Sequence, residues 1–436
     1  MVLGMAAGFN KSEAQPHALS DAYKAYFLGV LTLTYTFNFI DRTIFSILIP
    51  PIKAELELSD TQLGLVGGIA FALFYSTLGL PIAKWADRGN RVNIITLCLS
   101  VWSAMTAAGA LVMNFWHLLA VRIGVAIGEA GGTPPAHSII GDLYEPRRRT
   151  TAVSIYQIGA PLGGALGLIV GGWAAENFGW RNALLIVGLP GLLLALLLRA
   201  TLREPPRGLS EVKATDGKAS TILGVARLLW ARRTYRYMIT GTAFTSIASY
   251  AHIQWTPAFL VRSHELGLST IGFLLGAFSL VGGVLGVAAG GYLSDRLAER
   301  DPKWWMLTPG FGILIGLPFA VAALLLTDIT WVLVCLFIPS LTTAIYPGPT
   351  FATAQKLVGV KMRAMAVAFS LFVITMVGLG IGPLLVGGIS DLLSATYGED
   401  SLRVSLLWIQ VLKLISGCFY ILAASSIAAD LKRAPD

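Results

Sequence analysis

Ala83-Lys84-Trp85-Ala86-Asp87-Arg88-Gly89-Asn90-Arg91 follows one long apolar run, and Gly291-Tyr292-Leu293-Ser294-Asp295-Arg296 follows another. A second correspondence agrees with the first. Gly163, Gly164, Gly167, Gly171 and Gly172 in one apolar stretch answer Gly378, Gly380, Gly382, Pro383, Gly387 and Gly388 in a later one. The chain therefore reads as two related halves in parallel orientation. Closely spaced glycines let helix backbones approach, and an Asp-Arg pair at a helix end can make charge-assisted bonds to a neighbouring helix.

The apolar runs are about 20 residues long, the length that a hydrocarbon core of about 30 Å asks of a helix. They fall at 26–50, 61–84, 93–113, 118–142, 152–174, 182–199, 234–261, 269–293, 304–326, 331–355, 365–389 and 404–429. Of 436 residues, 55% are apolar and 13% charged, whereas a soluble domain carries about 25% charged residues. The expected fold is an all-α membrane protein of twelve transmembrane helices in two pseudo-symmetric six-helix bundles. Gly and Pro inside spans are tolerated because neighbouring helices take up the freed backbone groups.

The net charge of +8 does not call for nucleic acid. Of the 32 Lys and Arg, 25 lie in the tails and even-numbered loops. Only Lys53, Arg181, Arg262 and Arg403 lie in odd-numbered loops, and Arg42, Arg122 and Lys413 lie within spans. This bias places both termini in the cytoplasm of a multi-pass protein of the plasma (cell inner) membrane. No cleavable signal pattern precedes the first span, which is expected to be retained. Cys98, Cys335 and Cys418 fall inside spans without metal-ligand spacing and read as packing residues.

The widest gap between spans holds Pro205-Pro206-Arg207-Gly208 and a polar stretch of linker composition. The chain divides into a tail (1–25), a first bundle (26–200), a linker (201–233), a second bundle (234–430) and a tail (431–436). Within the linker, Ile222, Leu223, Val225, Ala226, Leu229 and Trp230 alternate with Arg227, Arg232 and Arg233, a pattern for a short helix lying in the membrane interface. Two parallel six-helix repeats joined by such a linker resemble the major facilitator superfamily, whose site lies at mid-membrane between the halves. That resemblance implies that Asp87, Arg88, Arg91, Asp295 and Arg296 form a cytoplasmic gate.

An ionisable residue inside a span is costly and marks a functional site by default. Asp41 and Arg42 lie near the middle of the first span, Arg122 and Glu129 in the fourth. Arg122 and Glu129 are two helical turns apart and share a face. Asp41 and Arg42 point about 100° apart, so at most one faces a cavity squarely. Burial raises a carboxyl pKa and a nearby Arg lowers it. A carboxylate that changes partner therefore changes its proton affinity. Asp41 and Glu129 are the expected proton carriers, with Arg42 and Arg122 as their partners or as anchors for an anionic substrate group. No cofactor is expected, and the driving force is a proton gradient.

Further polar residues are candidates for the cavity lining: His137 in the fourth span, Tyr250, His252 and Gln254 with Trp255 in the seventh, and Tyr346 beside Pro347 and Pro349 in the tenth. Lys413 reads as a packing or snorkelling residue. Phe244, Phe259, Phe278, Phe351 and Phe372 make the second half the greasy one, and a charged half facing a greasy half suits an amphiphile with a charged head and an acyl tail.

Three stretches sharpen the resemblance: Asn38-Phe39-Ile40-Asp41-Arg42, Arg122 followed by Gly128-Glu129-Ala130, and Ser138-Ile139-Ile140-Gly141-Asp142-Leu143-Tyr144. Together they resemble the Spinster family, which implies transport of sphingosine-1-phosphate or a lysophospholipid, with Asp41 and Glu129 matching the protonation positions and Arg42 and Arg122 their cationic companions. The resemblance also implies a monomer. Gly131-Gly132-Thr133-Pro134-Pro135 departs from the family wording. The expected function is a proton-coupled secondary transporter of an amphiphilic lipid working by alternating access. The alternative is a proton-coupled symporter of a small organic anion or sugar acid. No HExxH, GxSxG or paired intramembrane Asp pattern points to an enzyme, and the duplicated loops speak against a channel.

Overall fold

The computed structural model describes residues 20–207, 222–359 and 362–433. The described residues form helices and short turns, with no strand among them. The first span is a single helix, α1 (Asp21–Leu56), opened by the Ser20 hydroxyl, which accepts the Tyr23 amide. The second is broken at Gly68 into α2 (Asp60–Gly67) and α3 (Ile69–Arg88). Ser59 and Gln62 close a reciprocal capping box on α2, satisfying two backbone donors that the helix itself leaves free. The remaining spans of this half are α4 (Arg91–Ala108), α5 (Phe115–Glu129) with α6 (Thr133–Leu143), α7 (Pro146–Gln157) with α8 (Gly159–Phe178), and α9 (Trp180–Thr201).

The second half holds α11 (Arg233–His264), α12 (Leu268–Ala298), α13 (Trp304–Leu325), α14 (Ile329–Thr343) with α15 (Pro347–Lys356), and α16 (Arg363–Val373). A π-helical turn, Ile374–Leu379, joins α16 to α17 (Gly380–Tyr397), and α18 (Ser401–Leu431) closes the chain. Between the halves, α10 (Ile222–Ala231) is a helix as expected, but Val225 and Leu229 are buried against Tyr235 and Met238 of α11, so its apolar face meets protein. Linker residues 208–221, most of the expected first tail (1–19) and tail residues 434–436 lie outside the described residues.

The breaks fall at matching places. The fourth span stops at Ala130 and resumes at Thr133, with Pro134 and Pro135 behind it. The tenth stops at Ala344 and resumes at Pro347. Proline has no N–H to give the preceding turn but fits the first turn of a new helix. The fifth and eleventh spans are interrupted at Ile158 and at the π turn respectively.

An even number of spans brings both chain ends to one face, called here the termini face. Tyr144 at the end of α6 donates to the Lys24 carbonyl at the start of α1, and Tyr23 donates to the Thr201 carbonyl at the end of α9. At the opposite, far face the halves touch closely. α8 crosses α12 where Gly172 and Gly272 face each other. A Cβ on Gly172 would stand 2.3 Å from the Leu268 carbonyl oxygen, and one on Gly272 2.2 Å from that of Leu168. α17 packs on α2 in the same way, with Gly387 against the Asp60 carbonyl. The fifth and eleventh spans thus meet the other half, each on a different partner.

Forcing a side chain into a well-packed crossing costs about 1–3 kcal/mol. Gly272→Val is therefore expected to lower the melting temperature of the detergent-solubilised protein. Gly283→Ala, at a position with open space around it, is expected to leave it unchanged. Equal effects of the two would show that the crossing is not a tight one.

Candidate functional site

The four intramembrane charges come together on α1 and α5. Arg42 Nε lies 2.6 Å from Glu129 Oε2, with Asn38 beside the same carboxylate. Arg122 reaches the Asp41 carbonyl through Nη1 at 3.4 Å. The Asp41 carboxylate has the Thr106 hydroxyl beside it, yet neither of its oxygens has a hydrogen-bond partner in good geometry. Glu129 Oε1 and Arg122 Nε are also buried without a partner. Orphaned buried polar atoms are uncommon in proteins and ask for an explanation.

Aromatic rings hold the guanidiniums. Arg42 stands 4.5 Å from the Tyr75 ring centre, 5.1 Å from Phe39 and 5.4 Å from Phe71. Arg122 stands 4.6 Å from Phe45 and 5.1 Å from Phe71. The buried Phe71 ring thus serves both cations. Each such contact contributes about 0.5–2 kcal/mol, more as water is excluded.

Both guanidiniums line a cavity between the halves. Its volume is about 100 Å³, below the range of about 300–1,000 Å³ usual for small-molecule sites. The rest of its wall is mostly apolar, from Phe39, Phe45, Phe71, Ile253 and Leu379, with Tyr250, Gln254, Thr43 and Ser46 as polar points. Asp41 and Glu129 are each only 1% exposed. The cations therefore form the cavity wall, and the carboxylates, the expected proton carriers, sit one layer behind it. Of the Asp41–Arg42 neighbours it is Arg42 that faces in.

The other candidates divide. Tyr250 and Gln254 line this cavity; His137, His252 and Tyr346 do not. His137 packs edge-on against Tyr156 at 5.3 Å. His252 turns the other way on α11 and meets Gln410 of α18 at 2.6 Å, and Lys413 is buried on that same helix. Tyr346, at the break in the tenth span, is packed in the second half's core with Met306 and Tyr420. The expected greasy residues of the second half are likewise elsewhere: Phe259 is buried in the core, Phe278 packs on Phe337, Phe244 on Phe419, and Phe372 is exposed. The rings that make the cavity apolar belong to the first half.

The sequence profile of the Major Facilitator Superfamily matches residues 31–383. The chain belongs to this superfamily. Among its relatives, an MFS-type efflux pump of Mycolicibacterium smegmatis is 35% identical, over 98% of each chain. A sphingosine-1-phosphate transporter of Danio rerio is 28% identical over 93% of this chain and 85% of its own. The crystal structure of a bacterial homolog of the human lysosomal transporter Spinster, in an inward-facing and unoccupied conformation, is 34% identical. It covers 94% of this chain and 99% of its own with a TM-score of 0.87. The protein is a Spinster-like transporter of the superfamily.

In this transporter the expected gate residues at the termini face make bonds within their own halves. Arg91 is buried and bonds Asp142, Glu204 (2.6 Å), Ser138 (2.9 Å) and the Pro205 carbonyl (3.0 Å). Asp87 and Arg88 are exposed, and the Asp87 carbonyl accepts from Arg207. Asp295 accepts from the Trp305 indole at 3.2 Å, and Arg296 bonds Tyr292.

The far face is different. Asp60 at the head of α2 accepts a two-pronged bond from Arg262 of α11 (2.7 and 2.8 Å), a bond from Lys53 (2.6 Å) and one from Ser390 of α17 (2.7 Å). Asp391 accepts the backbone amides of Asp60 and Thr61 at 3.0 and 2.7 Å. Glu176 accepts the Ser269 amide at 2.6 Å. Among the described residues, every hydrogen bond joining the halves lies toward this face. Sequence reasoning missed the cluster, although a signal was present. The four basic residues in odd-numbered loops break the charge bias, and each is paired with an acid: Lys53 and Arg262 with Asp60, Arg181 with Glu55, Arg403 with Asp400.

Removing one partner of a buried ion pair costs about 3–5 kcal/mol, and about 1.4 kcal/mol is tenfold in an equilibrium. In Asp60→Asn, a cysteine placed at Thr43 on the cavity wall of an otherwise cysteine-free protein is expected to react at least about tenfold faster with an impermeant maleimide added at the far face. An unchanged rate would mean that Asp60 does not hold the halves together.

Proposed function

We propose that the protein is a proton-coupled secondary transporter of an amphiphilic lipid with an anionic head, of the lysophospholipid or sphingosine-1-phosphate type, working by alternating access. The observation that carries this reading is the cavity wall, where two guanidiniums stand among apolar rings. An anionic head is attracted to the guanidiniums and an acyl chain to the rings. The naming of a Danio rerio relative as a sphingosine-1-phosphate transporter supports the same substrate class.

The coupling follows from the partners. Glu129 and an anionic head compete for Arg42. When the head takes the guanidinium, Glu129 is left as a buried carboxylate without its cation, a costly state that a proton from water relieves. Asp41, already without a hydrogen-bond partner, is the second proton position. Loss of the head restores the Arg42–Glu129 pair and releases the proton. The gradient of protons across the membrane drives the cycle, and no cofactor takes part.

The charge bias of the loops supports a cytoplasmic termini face in the inner membrane, so that the closed far face is the external one. The loop motifs at Asp87 and Asp295 then serve as the cytoplasmic gate in the opposite conformation. The transporter works as a monomer.

In proteoliposomes with an imposed pH gradient, Asp41→Asn and Glu129→Gln are each expected to reduce lysophospholipid transport to the rate seen without a gradient. Full coupling in both variants would remove these carboxylates from the mechanism. In competition binding, lysophospholipids are expected to displace a labelled single-chain phospholipid while sugar acids and small carboxylates do not. The reverse order would favour a small organic anion as substrate.

A further inference from the structure

Gln254 touches both the cavity and the closed face. It is 5% exposed and lines the cavity with Arg42 and Arg122. Its amide nitrogen crosses to the other half and donates to the Leu63 carbonyl in α2 at 3.2 Å. The amide lies where a Cβ on Gly67 would be, 2.3 to 2.6 Å away, so glycine is needed at the end of α2 for this side chain to reach over.

The element it grips is short. α2 has eight residues and ends where the second span breaks at Gly68. On its other side the break faces the carbonyls of Leu379 and Gly380, at the end of the π turn in the eleventh span. α11 therefore holds α2 at two points, Arg262 on Asp60 and Gln254 on Leu63, two turns or about 12 Å apart along α11. The Arg262 grip is at the far face; the Gln254 grip is in the cavity, where an anionic group would be bound.

We propose that Gln254 is the positioning residue that couples cavity occupancy to opening of the far face. This rests on the reading of the cavity as an anionic-head site. An anion held by Arg42 and Arg122 accepts from the Gln254 amide, the bond to the Leu63 carbonyl is given up, and α2 keeps only the bonds at its head, from Arg262, Ser390 and Asp391. The amide has two N–H donors, but its nitrogen cannot stay 3.2 Å from the Leu63 carbonyl while it is drawn toward an anion between Arg42 and Arg122, so a filled cavity loosens the hold on α2. A purely apolar occupant has no acceptor to offer and leaves the closure intact.

The test is double electron–electron resonance between spin labels at Ala54→Cys and Leu392→Cys, on the far-face ends of the two halves, in full-length protein lacking its native cysteines. Without ligand, Gln254→Leu and, independently, Gly67→Ala are expected to raise the open-to-closed ratio about fivefold, the equivalent of one hydrogen bond. The second variant displaces the amide without altering Gln254 itself. Oleoyl lysophosphatidic acid is expected to shift the native protein by a similar factor and to add nothing in Gln254→Leu, while still binding it by tryptophan fluorescence. Ligand-free distances unchanged in both variants, or a full lysophosphatidate response in Gln254→Leu, would overturn the role of Gln254. Absence of lysophosphatidate binding to the native protein would instead count against the anionic-lipid reading, with the ligand-free distances still judging the grip on α2.

Discussion

Two guanidiniums placed in the middle of a membrane bundle have to be neutralised, and the first half is organised around that demand. Charge in hydrocarbon is costly by any measure, and a buried pair repays its desolvation only when its geometry is good. Arg42 meets Glu129 at close range, Arg122 reaches the Asp41 carbonyl, and the Phe71 ring lies between the cations. With both carboxylates ionised the four charges sum to zero, yet the bonding is incomplete, since several polar atoms of Asp41, Glu129 and Arg122 are left over. A network built only to fix packing would have little reason to keep such surplus. In the proposed cycle that surplus leaves room for partners to be exchanged.

The two faces of the molecule are held in different ways. At the termini face, Arg91 gathers the ends of α6 and α9 around itself and strengthens the first half as a unit. At the far face, Asp60 does the opposite job by tying one half to the other through Arg262 and Ser390. The first arrangement ties one bundle to itself, and the second is a bond that parting the halves at this face would break. A buried ion pair near the end of the bundle is a reasonable material for that purpose, because water can reach and compensate both ions once they part.

Much of the fold was legible because a membrane imposes a length on every helix. Eight apolar stretches among the described residues meet a strict test of length and hydropathy, and the last of them runs through two spans, from Met365 to Leu431. The spans that fall below the test are the first, fourth and seventh. These are the polar ones, which carry Asp41, Arg42, Arg122, Glu129 and Gln254, so the weakness of the hydropathy signal was itself a pointer to the site. Which aromatic rings line the cavity was not legible. A membrane helix is apolar toward lipid and toward a greasy cavity alike, so nothing in spacing or composition separates Phe71 from Phe372. The layering of cations before carboxylates was hidden for a related reason: helical geometry separates Asp41 from Arg42 by angle, but only the packing of α5 decides which of them is turned inward.

The crossing of α8 and α12 is made of bare backbone, Gly172 on Leu268 and Gly272 on Leu168. A contact of that kind has no side chain that selection can adjust. Cargo preference then falls to the chamber wall, where side chains such as those of Ile253 and Leu379 face the cavity, while the sealing surface stays the same whatever is carried. A scaffold divided in this way can acquire new cargo by changes at a few wall positions without relearning how to close.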